Sequence, residues 1–482
     1  MSVTTLLLGL IILLNITLAF VVIFQERRDI GSTWAWLLVL LLIPIAGFIL
    51  YMFFAQNFRR KRLFYWDEFK KSGLDRGLKS QVSQFRAHRF NFRNSISERN
   101  KDLITMNLLN NQAVLTEDNE VEIFTDGKEK FEALFKDIEA ATDFIHVQYY
   151  IIRRDDLGKK LMELLSKKAR EGVRVRVLYD ELGSRGIGKR FLKELRESGG
   201  QAEAFFPSKF RLINLRLNYR NHRKLVIIDG KVGYIGGFNV GDEYLGLDTN
   251  FGYWRDTHLR IQGTAVYSIQ TRFILDWNQA SHDHDITYFP SLFPHLPNQG
   301  TVGIQIVSSG PDSEYEHIKN GYLKMISSAR NSIYIQTPYF IPDSSMLDAL
   351  RIASLSGVEV NLMIPDKPDH MFVYWATLSH VGELLQTGVN VYLYNNGFIH
   401  AKILVVDEEI ASVGTANIDF RSFKLNFEVN AFLYDEGIAR KLSEDFRNDM
   451  RVSSLLTMEQ YLKRSRGVKI KESISRLLSP IL

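Results

Sequence analysis

Two stretches of the chain carry the same polar residues at the same spacing. His222, Lys224 and Asp229 are followed by Asn239; His400, Lys402 and Asp407 are followed by Asn417. Each residue of the second set lies 178 positions after its counterpart. Such a match marks an internal duplication, and its period is far too long for a solenoid. The residue types suit phosphodiester chemistry. An imidazole can attack phosphorus or move a proton, and an ammonium can neutralise a phosphoryl oxygen. The asparagines follow small residues, so backbone and side-chain donors can approach an anion closely. Neither copy alone offers both a nucleophile and a separate acid. Two copies facing each other about a pseudo-twofold axis would bring two histidines, two lysines and two asparagines to one phosphodiester.

Acidic residues would orient each imidazole and set its tautomer. Asp256 and Glu428 occupy comparable places after Asn239 and Asn417, at unequal distances of 17 and 11 residues. Asp229 and Asp407 belong to the repeated motif and are candidates for the catalytic set. They also fall where hairpin turns form, which suits turn residues that never touch substrate. Other histidines fit structural roles: His146 lies in an apolar strand pattern, and His258 alternates with Leu259 and Ile261. His282 and His284 stand in a short acidic loop without a three-ligand pattern, so no metal is expected, nor any other cofactor. Gly236 and Gly237 belong to no phosphate-binding loop of the G-x-x-x-x-G-K type.

The elements around the motifs read as α/β. Residues 143–152 form an apolar strand pattern, 156–171 carry leucines at helical spacing, Gly172 stops that helix, and 173–179 alternate as a strand. The same order returns as a strand over 331–341, a helix over 344–356, a stop at Gly357 and a strand over 358–364. Side chains two apart on a strand share a face, so each His-x-Lys pair is expected to project together from a strand. Two similar α/β/α domains are therefore expected, over 111–290 and 291–482, joined near a proline-rich stretch at 290–299.

Composition narrows the class further. The 482 residues include no cysteine, which excludes disulfide scaffolds, cysteine-ligated metal and thiol nucleophiles. A net charge of +5 is too mild to mark a nucleic-acid binder. Charge is absent from residues 1–25 and again from 30–58, and only Glu26, Arg27, Arg28 and Asp29 separate the two runs. Each run is long enough to cross a hydrocarbon core of about 30 Å as a helix, so a transmembrane hairpin is expected over 1–58. Arg59, Arg60, Lys61 and Arg62 follow it directly, which places the remainder in the cytoplasm by the positive-inside rule. Residues 59–110 read as a basic juxtamembrane linker that anionic lipid could hold. The stretch 451–482, with seven Lys/Arg against two Asp/Glu, reads either as a helix packed on the second domain or as a basic amphipathic helix lying on lipid.

The doubled H-x-K-x4-D pattern with its glycine-rich step and asparagine resembles the phospholipase D superfamily, over most of the chain after residue 110. Finer features, including 238–244, 253–258, 309–312 and the Pro338–Pro342 segment, look like bacterial cardiolipin synthases. That resemblance implies two phospholipase D-like domains sharing one active site, and transfer between two phosphatidylglycerols to give cardiolipin and glycerol. It further implies a phosphohistidine intermediate, with His222 as nucleophile and His400 as acid and then base, or the reverse. A hydrolytic phospholipase D and a phosphatidylserine synthase use the same site with another acceptor, and a membrane-bound nuclease is a more distant alternative. The partners expected are phosphatidylglycerol and anionic membrane lipid, without nucleic acid; the location is the cell membrane.

Overall fold

The structure is a computed structural model that describes residues 3–24, 30–43, 45–47, 50–51, 74–207, 218–281, 283–477 and 479. The first half of the repeat contributes β1 (Thr116–Phe124), β2 (Phe144–Tyr149), β3 (Arg174–Asp180), β4 (Gln201–Phe205), β5 (Leu225–Ile228), β6 (Val232–Gly236), β7 (Trp254–Arg255) and β8 (His258–Gln262). The second contributes β9 (Val302–Ser309), β10 (Ser332–Gln336), β11 (Phe340–Ile341), β12 (Glu359–Pro365), β13 (Asn390–Tyr394) and β14 (Phe398–Ile399). It continues with β15 (Ile403–Val406), β16 (Ile410–Gly414), β17 (Ile418–Asp419), β18 (Glu428–Tyr434) and β19 (Ser453–Leu455).

Fifteen strands form one sheet in the order β19-β13-β12-β10-β15-β16-β18-β9-β1-β8-β6-β5-β2-β3-β4. Read outward from the β9–β1 junction, β1-β8-β6-β5-β2-β3-β4 mirrors β9-β18-β16-β15-β10-β12-β13. The duplication seen in the motifs is thus a duplication of sheet topology. The halves meet through the antiparallel pairing of β1 with β9. Together they make one compact unit, Leu63–Pro207, Arg220–Gly310 and Tyr315–Leu482.

Local sequence explains the repeated unit. All six side chains of β2 are buried, as suits a strand covered on both faces. The helix Asp156–Arg170 is capped by the Asp155 carboxylate, which accepts from Gly158 N, and buries Leu157, Leu161, Leu165 and Ala169. Gly172 follows at φ +89, a left-handed position that glycine fills without strain. β3 then pairs parallel with β2, and β12 with β10, as crossover connections require. The strand expected over 331–341 is two, β10 and β11. Between them Thr337 N still donates to Met363 O at 3.2 Å, and Pro338, which has no N–H, ends the ladder.

Residues 59–110, read as a linker, are helical over Leu74–Arg86, Ser95–Arg99 and Lys101–Asn111. Phe85, Ile96, Leu103, Ile104 and Leu108 from these helices enter the core of the second half. Charge counting had hidden this apolar set. Residues 59–62, with the basic cluster, lie outside the described residues, as do Glu26–Asp29 (26–29), Pro44 and His282.

The N-terminal helices Val3–Phe24 and Ile30–Leu42 pack on each other through Val22 and Leu40, joined by Leu18, Trp36 and Tyr51. Asn15 Nδ2 donates to Leu40 O at 3.3 Å. Leu10, Leu13, Ile16, Phe20, Leu41 and Leu42 are exposed. Among the described residues no helix is long and apolar enough to cross a membrane.

Candidate active site

His222 and His400 do not lie within strands, as their spacing suggested. They sit on extended backbone just before β5 and β15. The reason is that their N–H groups bond across the repeat. His222 N donates to Phe427 O at 3.0 Å, and His400 N donates to Arg255 O at 2.7 Å. These bonds continue short parallel pairings, Asn221 with Phe427 and β14 with β7. Each histidine of one half is thereby stitched to the segment carrying the acid of the other half.

The side chains complete that exchange. His222 Nδ1 lies 3.0 Å from Glu428 Oε2, and His400 Nδ1 lies 2.6 Å from Asp256 Oδ2. Glu428 and Asp256 are fully buried, while His222 and His400 are each 8% exposed. With Nδ1 committed to a carboxylate, Nε2 is the nitrogen left for chemistry. Lys224 Nζ donates to His222 O at 2.7 Å, and Lys402 Nζ lies 2.8 Å from His400 Nδ1. Both lysines are buried.

Electrostatics tie the four together. Burial brings Lys224 down to about 7 and Lys402 down to about 8, with Glu428 and Asp256 opposing the fall. Burial, then the Lys402 ammonium, pushes His400 down to about 3 against the pull of Asp256. Burial also lowers His222, which Glu428 offsets and both lysines reinforce. Burial raises the Asp256 and Glu428 carboxyls, but the neighbouring cations and hydrogen bonds outweigh it, and both end below the ordinary carboxylate range. Each imidazole senses both lysines, its own motif's before the other's, so the two motifs form one electrostatic site.

The remaining sequence candidates divide. Asn239 Oδ1 accepts from Ile151 N at 3.1 Å and its Nδ2 donates to Tyr244 Oη at 2.8 Å, so its amide is engaged in holding the segment after β2. Asn417 is buried, with an Oδ1 that has no hydrogen-bond partner among the described residues. Asp229 and Asp407 are at the far ends of β5 and β15, in turns with positive φ. Asp229 accepts from Thr142 N, Thr142 Oγ1, Asp143 N and Phe144 N at 2.8–2.9 Å. Asp407 accepts from Arg330 N, Asn331 N and Ser332 N at 2.7–2.9 Å. Each fixes the start of the neighbouring strand, and neither is brought to the histidines. His146 is buried and bonded, its Nδ1 3.0 Å from Gln270 Oε1.

Sequence reasoning missed several groups. Thr415 Oγ1 donates to Glu428 Oε2 at 2.5 Å. Its counterpart, Gly237, cannot be larger, because a Cβ there would lie 1.9 Å from Asp256 Oδ1. Two buried arginines hold the acids' own backbone. Arg223 Nη1 lies 2.6 and 2.7 Å from the Asp276 oxygens, and its Nε donates to Glu428 O at 3.1 Å. Arg255 Nη2 lies 2.9 Å from Asp449 Oδ2, and its Nη1 donates to Asp256 O at 2.6 Å. Gln148 and Gln336 donate to Asp276 and Asp449 at 2.7 and 2.8 Å. The paired Gln residues on β2 and β10 were the available signal, visible once the repeat is followed beyond the motifs.

Two segments, 134–277 and 322–450, match the family described as cardiolipin synthase, phospholipase D-like domain. The chain is also 65% identical over its whole length, and that of its relative, to the major cardiolipin synthase ClsA of Bacillus subtilis. The chain belongs to the cardiolipin synthase family. It is thus a phosphatidyltransferase of the phospholipase D superfamily. Cardiolipin synthase 2 of Staphylococcus epidermidis is 57% identical over 98% of this chain and 96% of its own, and the cardiolipin synthase of Listeria welshimeri 56% over 99% of each. Residues 13–56 match the family described as phospholipase D-nuclease N-terminal. The phosphatidylserine synthase of Haemophilus influenzae shares the fold, with a TM-score of 0.61 over 81% of this chain and all of its own at 15% identity. This cardiolipin synthase carries its duplicated motif on a sheet that is itself duplicated.

Proposed function

We propose that this cardiolipin synthase moves a phosphatidyl group from one phosphatidylglycerol to a glycerol hydroxyl of another, through a phosphohistidine on His222. The crossed pairing of each histidine with the other half's acid carries the reading. It supports a single site in which two imidazoles address one phosphorus from opposite sides.

Glu428 holds the Nδ1 proton of His222, so Nε2 presents its lone pair to phosphorus. As the Nε2–P bond forms, the bond to the glycerol oxygen breaks, and His400 gives that oxygen its proton. Glycerol leaves. The second phosphatidylglycerol then enters, His400 takes its hydroxyl proton, the new O–P bond forms and the bond to His222 breaks. Splitting one crowded displacement into two is the gain from a covalent intermediate. Lys224 and Lys402 neutralise the phosphoryl oxygens, with donors about Asn417. In the free site the Lys402 ammonium opposes protonation of His400. Burial is the larger cause, and a phosphodiester anion seated on the lysines offsets the lysine part, which favours the protonated acid. Asp256 fixes the ring of His400 throughout. Asn239 supports the site by holding Ile151, while Asp229 and Asp407 serve the strands.

The boundaries 1–58, 59–110, 111–290 and 291–482 describe an anchor, a connecting helical segment and two phospholipase D-like halves. The outward apolar side chains of the N-terminal helices support an anchor of two spans in the cell membrane. The basic residues 59–62 favour catalysis on its cytoplasmic side.

Product analysis tests the reaction. Purified protein given only phosphatidylglycerol should release glycerol and cardiolipin in equal amounts. Phosphatidic acid as main product would make water the acceptor and the protein a hydrolase; transfer to added serine, or cleavage of DNA in place of lipid, would overturn the assignment as well.

A further inference from the structure

The C-terminal helix is built inside out. Arg466–Leu477 lies against the helix Met371–Leu385, and the side chains it buries there are Glu472 and Ser475. Its large apolar residues point the other way: Ile470 is 60% exposed, Ile474 52% and Leu477 81%. At 3.6 residues per turn these three form one stripe. Lys471 lies on one flank of the stripe, and Arg466 and Lys469 on the other. All three are exposed. The inward side is settled by charge pairing: Arg464 lies 2.5 Å from Glu472, and Arg476 the same distance from Glu383.

The supporting helix extends the surface. Met371 and Phe372 at its start are about half exposed, at 50% and 53%. Lys471 Nζ lies 4.8 Å from the Trp375 ring, one turn further on. This end of the helix adjoins the site. Asp369 accepts from Tyr339 Oη, and its charge acts on Lys402. Phe340 N donates to Thr377 Oγ1 at 3.2 Å, and β11 pairs with β17 just after Asn417. The helix bearing the apolar stripe thus lies on the helix that begins two residues after Asp369, whose charge reaches Lys402.

Folding in water turns such a stripe inward when its job is core packing. Here an acid occupies the core side and isoleucines the outside. From Met458 to Leu477 there are six Lys/Arg against two Asp/Glu. Apolar side chains between flanking cations match one surface chemistry, the boundary between acyl chains and anionic headgroups. We infer that the Ile470–Ile474–Leu477 stripe, with Met371 and Phe372, seats in the interface of an anionic bilayer and holds the active site at the headgroup level. This surface rests on the lipid-transfer reading above in one respect, that the substrate lies in the same bilayer.

The absence of cysteine makes a direct test clean. Full-length Ile474→Cys carries an environment-sensitive fluorophore and is reconstituted into vesicles with nitroxide-bearing lipid. Strong quenching is expected in phosphatidylglycerol vesicles, with little in phosphatidylcholine vesicles. Replacing Lys469 and Lys471 by Gln should reduce it. Absence of quenching, or equal quenching in both lipids, would overturn the inference. A second measurement uses Ile470→Ser/Ile474→Ser/Leu477→Ser without label. Turnover should fall about tenfold on anionic vesicles and stay unchanged on detergent-dispersed lipid; an unchanged vesicle rate would also overturn it. Failure of the unaltered protein to turn over dispersed lipid would instead refute the lipid-transfer reading, whatever the fluorophore reports.

Discussion

Both lysines of the site lose their protons within reach of neutral pH. A lysine whose value is lowered by burial loses its cation as pH rises through the lowered value, here about 7 for Lys224 and about 8 for Lys402. If the ammonium groups hold the phosphoryl oxygens, kcat/KM should decline across pH 7–8, since that ratio reports the free enzyme. Lys224→Arg should move the decline upward in pH while lowering the rate, because a guanidinium keeps its charge but not the geometry. A profile flat from pH 6.5 to 9 would remove the lysines from substrate binding. Arg255 acts at one remove, since its fork joins Asp449 to the carbonyl of Asp256. Arg255→Lys should lower kcat by roughly tenfold or more at nearly constant KM and shift the limb of the pH profile that belongs to His400. Loss of folded protein with an unaltered profile would make the arginine structural alone.

At the scale of elements, the hairpin β5–β6 separates what a motif contains from what a site uses. Asp229 shares the motif with His222, yet lies at the other end of the strand and takes four hydrogen bonds from residues 142–144. Asp229→Ala should cost about 2–4 kcal/mol in urea unfolding, because it leaves the N–H groups of residues 142–144 without their acceptor and puts alanine at a left-handed position. The folded fraction should keep its specific activity within about twofold. A stable variant without activity would return Asp229 to the chemistry. Strand and helix positions were legible here because their periodicities are local: Asp156–Arg170 and β3 fall within a residue or two of the pattern. The bonds that draw His222 and His400 out of their strands were not legible. They run to Phe427 and Arg255, whose approach depends on how the halves close. The helices between Leu74 and Asn111 were masked for a different reason, since net charge describes a segment's surface and says nothing of Leu103, Ile104 and Leu108.

For the molecule as a whole, duplication does the work that a second catalytic residue type would do elsewhere. The offset of 178 residues made two histidines and one shared site legible in the sequence. It could not show that the acids are exchanged, because Asp256 and Glu428 follow their asparagines at unequal distances and only the sheet brings them across. Their exchange makes each half incomplete alone. The covalent step tests this most directly. A phosphatidyl donor labelled on phosphorus and bearing a good leaving group is given to full-length His400→Asn, in which no base activates the incoming hydroxyl. Acid-labile, base-stable label is expected on the peptide containing His222. Label confined to position 222's counterpart, His400, in the unaltered protein, or no protein-bound label in either, would contradict a single shared site with His222 as its nucleophile.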